Sequence, residues 1–396
     1  MKHRAIGAVL FGGGVLLLAL AAGLVFVVKP AMTKLPYDLK PTTSVAEAKG
    51  ATFLQITNGN VEINQADLKS TVLVSPNPKA TSELTGDLDG KAVVWEVGQT
   101  VDRTDRKELI NAYGAALALD RVSGSALEWE KEYLDDSGTR QDVNFSGQMY
   151  KFPFNTEKKT YEIFDRDLRA KRPAEFKGTE DIQGIEAYRF EQVIADETLD
   201  LAPDRLAVLL PKLAPGATSG ELKYSNTRTV WIDPVTGSFL NVREVQRKTL
   251  VPNTGAPVDV LNADFAYNEE TIKGSVERAK DSRNSLNLLG VYAPVGAALL
   301  GLVLILAGLL VGRQGATVAA GEARHRAEPA PVADPTPTRV DQEPVRDDTP
   351  TAEQPRTEPA GGVLSDEIPP ASTNWKGDDS SVPHQRPSTD DEAEKR

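Results

Sequence analysis

Trp231-Ile232-Asp233-Pro234-Val235-Thr236-Gly237-Ser238-Phe239-Leu240 reads as a β-hairpin. Two apolar residues end a strand, the Asp side chain caps the turn, Pro234 suits its first central position, and Gly237 takes the positive φ that closes the loop. The same pattern stands upstream as Ala118-Leu119-Asp120-Arg121-Val122-Ser123-Gly124-Ser125-Ala126-Leu127. Both read apolar, apolar, Asp, x, Val, Ser/Thr, Gly, Ser, x, Leu. Asp120, Gly124, Asp233, Pro234 and Gly237 are therefore the predicted structural turn residues. The echo argues strongly for two hairpins and weakly for duplication, because hairpins converge on such residues.

Around these turns the pattern is period 2. Val93, Trp95 and Val97 alternate with Val94 and Glu96; Tyr161, Ile163 and Asp165 with Glu162 and Phe164; Ala187, Arg189 and Glu191 with Tyr188, Phe190 and Gln192. Such runs bounded by turn residues predict strands. Helical signals are few. Pro203-Asp204 opens a short helix that Pro211 is expected to stop. Its stripe Leu206, Leu209, Leu210 and Leu213 has two readings, core packing or the wall of a ligand site. A polar helix over 268–287, with Ile272, Val276 and Ala279 on one face, is expected to run on into an apolar segment. Residues 29–41, with three prolines, read as an extended stalk, and residues 251–257 as a loop between strands.

Two uncharged apolar runs flank this region, 6–28 and 288–311, each long enough to cross a bilayer as a helix. The first outruns the apolar core of a signal peptide and ends without a small-residue cleavage site. Lys2, His3 and Arg4 precede it, and Arg313, Arg324 and Arg326 follow the second. The positive-inside rule then predicts an inner-membrane protein with two spans and both termini cytoplasmic. Domain limits follow: 1–5 cytoplasmic, 6–28 helix, 29–287 external, 288–311 helix and 312–396 tail. The pairs Gly308/Gly312, Ala297/Gly301 and Ala19/Gly23 suit close helix packing, within the chain or between copies. The tail holds 12 of the 26 prolines and 17 acids against 10 bases. That composition predicts disorder, with Trp375 a candidate motif for a cytoplasmic partner.

Composition excludes much chemistry. The 396 residues include no cysteine and three histidines, His3, His325 and His384, none of them within 29–287. Ser-His-Asp and Cys-His catalysis and the usual zinc ligands are removed. No phosphate-binding glycine loop follows a strand. Carboxylate pairs remain, at Asp135-Asp136, Asp165/Asp167 and Glu180-Asp181, but 40 acids in this region make such pairs inevitable. Asp264–Asn268 and Asp233–Gly237 lack the spacing of a calcium loop and read as turns. No catalytic residue, metal or cofactor is expected. The net charge of −12 argues against nucleic acid.

Three segments carry a resemblance. Tyr150-Lys151-Phe152-Pro153-Phe154-Asn155-Thr156-Glu157-Lys158-Lys159-Thr160-Tyr161, Gly184-Ile185-Glu186-Ala187-Tyr188-Arg189-Phe190 and Trp231–Gly237 stand in the order found in an actinobacterial envelope family. The chain resembles the PorA-like family, a domain of unknown function that includes the mycobacterial polar growth factor A, over roughly residues 5–312. The resemblance implies a role in mycolate-envelope assembly, through trehalose monomycolate trafficking or lipomannan and lipoarabinomannan maturation. Its motifs are structural, so no catalytic residue carries over.

The resulting expectation is an α+β fold, a β-rich antiparallel external domain between two transmembrane helices, with a disordered tail. The expected function is a non-enzymatic assembly protein binding a lipid or glycolipid, beside an envelope lipid transporter. A self-contained outer-membrane pore is not expected, because such a pore would not carry two apolar helices. The alternatives are a scaffold for a transporter or glycosyltransferase, and a carboxylate-based glycan enzyme.

Overall fold

The computed structural model describes residues 2–57, 59–136 and 138–324. The fourteen strands are β1 (Thr42–Thr57), β2 (Asn60–Pro76), β3 (Ala92–Arg103), β4 (Glu108–Asp120), β5 (Ser125–Leu127), β6 (Tyr133–Asp136) and β7 (Thr139–Gln141), then β8 (Gly147–Gln148), β9 (Tyr161–Asp165), β10 (Ala170–Ile182), β11 (Ile185–Leu199), β12 (Gly220–Ile232), β13 (Phe239–Pro252) and β14 (Val258–Tyr267). They form one sheet, ordered β3-β2-β1-β14-β13-β12-β11-β10-β9-β8-β5-β4-β6-β7. A further pairing of β3 with β4 closes twelve of them into a ring, and β6 and β7 hang from β4.

The ring is two meanders, β1–β4 and β9–β14. On one side they join through β1 and β14, with Ala46 opposite Tyr267. On the other they join through short β5 and β8, and β8 meets β9 in parallel. Closure pairs the edges that an open sheet would leave unpaired. The expected fold class is corrected accordingly. The β region is a closed barrel with terminal helices and one parallel pair, not an open antiparallel external domain strung between two spans. Period-2 alternation is the same for an open sheet and a closed one, so only the pairing of first strand with last distinguishes them.

Among the described residues six α-helices accompany the barrel: α1 (Lys2–Gly23), α2 (Lys29–Met32), α3 (Pro78–Ser82), α4 (Pro203–Leu213), α5 (Glu269–Asn287) and α6 (Ala293–Arg324). A π-helical turn, Leu24–Val28, links α1 to α2, and another, Leu288–Tyr292, links α5 to α6. The chain is thus helical without a break from Glu269 to Arg324, twelve residues past the expected start of the tail. The rest of the tail, including Trp375, lies outside the described residues.

Helices α1 and α6 pack along their length through small residues seven apart. Gly7, Gly14 and Ala21 are the buried positions of α1, facing Pro294, Gly301 and Gly308 of α6. A Cβ on Gly14 would come within 2.5 Å of the Gly301 carbonyl, and one on Gly308 within 2.7 Å of the Gly7 carbonyl. Only glycine allows backbones this close. Gly301 and Gly308 belong to the pairs that the sequence marks; Gly7 and Gly14 do not. Outward residues such as Leu16, Phe26, Leu306 and Leu310 are exposed and apolar, and both helices are long and apolar enough to cross a membrane.

Helix α5 fixes the barrel to this pair. The Asn268 side chain caps it by accepting from the Thr271 amide at 3.0 Å, and Glu269 and Glu270 complement its N-terminus. Val276 and Ala279 bury against Ile185, Ala187 and Leu240, with Ile272 beside them. Residues 29–41 are not a free stalk. Leu35 is buried in the core with Val93, Trp95 and Leu117, and its amide and carbonyl both bond Arg121.

Candidate functional site, the barrel lumen

A cavity of about 2110 Å³, open to solvent, occupies the barrel and extends beyond its rim. It runs from Leu209 of α4 at the distal mouth to Val27, Val28, Ala31 and Met32 beside the helix pair. The mid-wall is charged. Arg228 on β12 donates to Glu244 at 2.7 Å, to the Gln192 side chain at 2.8 Å and to Asp165 at 3.3 Å. Tyr224 donates to the same Asp165 oxygen at 3.0 Å. The Lys248 ammonium meets Asp167 at 2.6 Å, and Arg166 donates to Gln99 at 2.8 Å. Three cations face three acids, so the belt is close to neutral. Burial raises the Asp167 pKa, but Lys248, Arg166 and Arg228 outweigh it and hold the carboxyl at about 2. Arg228 keeps Glu244 below its ordinary range in the same way, against burial.

The outward wall is polar too. Arg243 pairs with Asp264 at 2.6 Å, Arg247 with Asp259 at 3.0 Å and Lys177 with Glu175 at 2.7 Å. Ion pairs of this kind suit an aqueous surface rather than a lipid-facing one.

The two echo turns meet one irregular chain segment at the near rim. Asp233 accepts from the Val235 and Thr236 amides and from the Thr236 hydroxyl, and Arg283 of α5 donates to it. Gly237 has φ +70°. Its carbonyl accepts from the Phe152 amide at 2.9 Å, and the Pro234 carbonyl from the Thr156 amide at 2.8 Å. Asp120 repeats the arrangement with the Val122 and Ser123 amides, and Gly124, also at φ +70°, packs on Lys151. The segment 151–156 is thus clamped between both hairpins, which explains why two of the three motif segments occur together.

Helix α4 covers the far mouth and extends two residues past Pro211. Leu209 and Leu210 are buried with Val61, Leu250 and Val260, and Leu206 and Leu213 are partly buried against them. Of these four leucines, Leu209 reaches the cavity. We expect Leu209→Asp to cost about 3 kcal/mol or more, because the charge has no partner there; thermal melting checks it, and an unchanged melting temperature would show that the helix is loosely seated.

The candidate carboxylates are engaged. Asp165 and Asp167 serve the charged belt, and Glu180 accepts from the Trp231 indole and pairs with Arg189. Asp135 and Asp181 cap turns, and Asp136 lies 3.5 Å from Arg205. Asp264 lies on β14 rather than in a turn. Among the described residues no cluster has the make-up of a metal site. Arg166, Arg228, Glu244 and Lys248 were not marked by the sequence reading. The available signal is β13, where Arg243-Glu244-Val245-Gln246-Arg247-Lys248 is polar on both faces.

The family model described as "Porin PorA" matches residues 6–310. The chain belongs to the PorA porin family. Among its relatives, a porin PorA of Corynebacterium resistens is 25% identical over 298 residues, covering 56% of this chain and 72% of the relative. One of Corynebacterium amycolatum is 26% identical over 285 residues, covering 58% and 72%. The PorA-like resemblance therefore stands. The function drawn from it does not. A porin family and a closed barrel speak for a channel, not for a lipid- or glycolipid-binding assembly protein in trehalose monomycolate, lipoarabinomannan or polar-growth pathways. They also point to a channel of the outer cell envelope, so inner-membrane placement with cytoplasmic termini is withdrawn. That placement was read from charges flanking the apolar runs, which register nothing of whether the intervening sheet is closed.

Proposed function

We propose that this PorA-family protein is a non-enzymatic channel of the cell envelope, whose barrel lumen carries ions or small hydrophilic solutes. The observation that carries the reading is the closed barrel around a large cavity belted with charges of both signs. A lumen lined in this way stays wet, and its fixed charges set which ions pass. The charged outer wall supports lipid contact through α1 and α6, so in this reading the lumen is an aqueous vestibule in series with a path across the bilayer that the helix pairs of several copies enclose.

The test is planar-bilayer recording on the purified full chain. Discrete conductance steps are expected. Lys248→Gln removes one lumen cation while leaving Asp167 a hydrogen-bond donor, so it should shift the reversal potential toward cation preference. A folded protein that never conducts would end the channel reading. Conductance that ignores Lys248→Gln would place the current outside the lumen.

A further inference from the structure

Lys151 is the one lysine among the buried side-chain atoms that lack a hydrogen-bond partner in the described residues. It is 7% exposed and lines the cavity, yet its ammonium nitrogen has no hydrogen-bond partner. It lies 4.3 Å from the centroid of the Phe154 ring. A lysine brings three donors, and leaving them unmet away from water is costly. The residue is also held in place. Gly124 packs on its stem, where a Cβ would lie 2.9 Å from the lysine Cγ, and the next residue, Phe152, is bonded to Gly237.

The acid that acts on it is Asp233. That carboxylate is already taken by Arg283, by two backbone amides and by the Thr236 hydroxyl. The ammonium therefore stands in the cavity wall, closed off from solvent against the Phe154 ring, beside a carboxylate with little left to give. Thr236 and Ser238 line the same cavity, and the rings of Phe154 and Phe239 add an apolar face.

We propose that Lys151 is an anion-binding station in the lumen wall, taking a small oxyanion, a carboxylate or a phosphate. The anion completes the ammonium's hydrogen bonds, and an organic carboxylate also lays its apolar part against the aromatic rings. Burial lowers the free lysine to about 7 even though Asp233 pulls the other way. The anion binds the protonated form, so binding takes up a proton and weakens as pH rises through that value. The site goes beyond the channel reading and does not need it, because binding is read in detergent solution whether or not the chain conducts.

Calorimetric titration of the full chain with sodium benzoate and with inorganic phosphate tests this. At about pH 6 at least one is expected to bind, with affinity falling about tenfold per pH unit above 7. Lys151→Met should abolish that binding. Benzoate alone would name an organic carboxylate, and phosphate alone a phosphate; either supports the site. No binding of either probe, or equal binding by Lys151→Met, would overturn it. Should that variant fail to fold, reductive methylation of the wild-type chain, followed by mass spectrometry, replaces it. Modification of Lys151 is expected to slow several-fold with the anion present, and an unchanged rate would overturn the proposal.

Discussion

Gly237→Ala is expected to unfold the near rim of the barrel. A Cβ at this position would stand 2.1 Å from the Phe152 carbonyl oxygen and 2.4 Å from that of Pro153. Both obstacles are backbone, and both belong to the segment clamped between the hairpins. Positive φ alone costs an alanine about 1 kcal/mol. The clash must also break the Phe152–Gly237 hydrogen bond or shift the segment, so the sum should exceed about 3 kcal/mol. Gly216 is the control. It has φ +89° with nothing within 4 Å of a Cβ, so Gly216→Ala should cost only the conformational part. Equal melting temperatures for the two variants would mean that the clamp carries no stability.

Removing Arg228 should be as damaging for a different reason. Arg228→Met leaves the buried Asp165 and the half-buried Glu244 short of a cation, and a broken buried pair of this kind costs about 3–5 kcal/mol. Its pH signature separates it from a packing defect. In the wild type Asp167 and Glu244 have depressed pKa values, so they bind fewer protons folded than unfolded. Their contribution is present above the unfolded carboxylate range and drains as pH falls toward about 2. In Arg228→Met burial is no longer offset at Glu244, its pKa rises, and lowering the pH should restore part of the loss. Urea unfolding of both proteins at neutral and mildly acidic pH measures this. A deficit that stays constant with pH would show that the pair contributes through packing alone.

The strands and turns were legible because their causes are local. Asp233, Pro234 and Gly237 satisfy the demands of one turn within six residues, and Val93, Trp95 and Val97 declare a buried face within five. Barrel closure was not legible in this way. It rests on β1 meeting β14, more than two hundred residues apart, and on the short seam strands β5 and β8, whose few residues carry almost no pattern. The lumen is harder to read, because the usual strand has one dry face. β13 departs from that pattern, since Glu244 and Lys248 look inward while Arg243 and Arg247 look outward. A strand polar on both sides has water on both sides, and that pattern was available in the sequence. Lys151 was visible as part of a motif, but its isolation depends on Arg283 and Thr236 having already claimed Asp233.

The glycine seam between α1 and α6 sets a timetable for synthesis. Gly14 leaves the ribosome nearly three hundred residues before Gly301. At roughly 5–20 residues per second, the first helix waits on the order of 15–60 s for its partner. Through that interval its groove of Gly7, Gly14 and Ala21 has nothing from its own chain to fill it. β1 waits almost as long for β14. Each nascent chain thus carries an open helix groove and an unpaired strand edge until β14 and α6 have been made, so the lag before self-closure is when a neighbouring copy can compete for both.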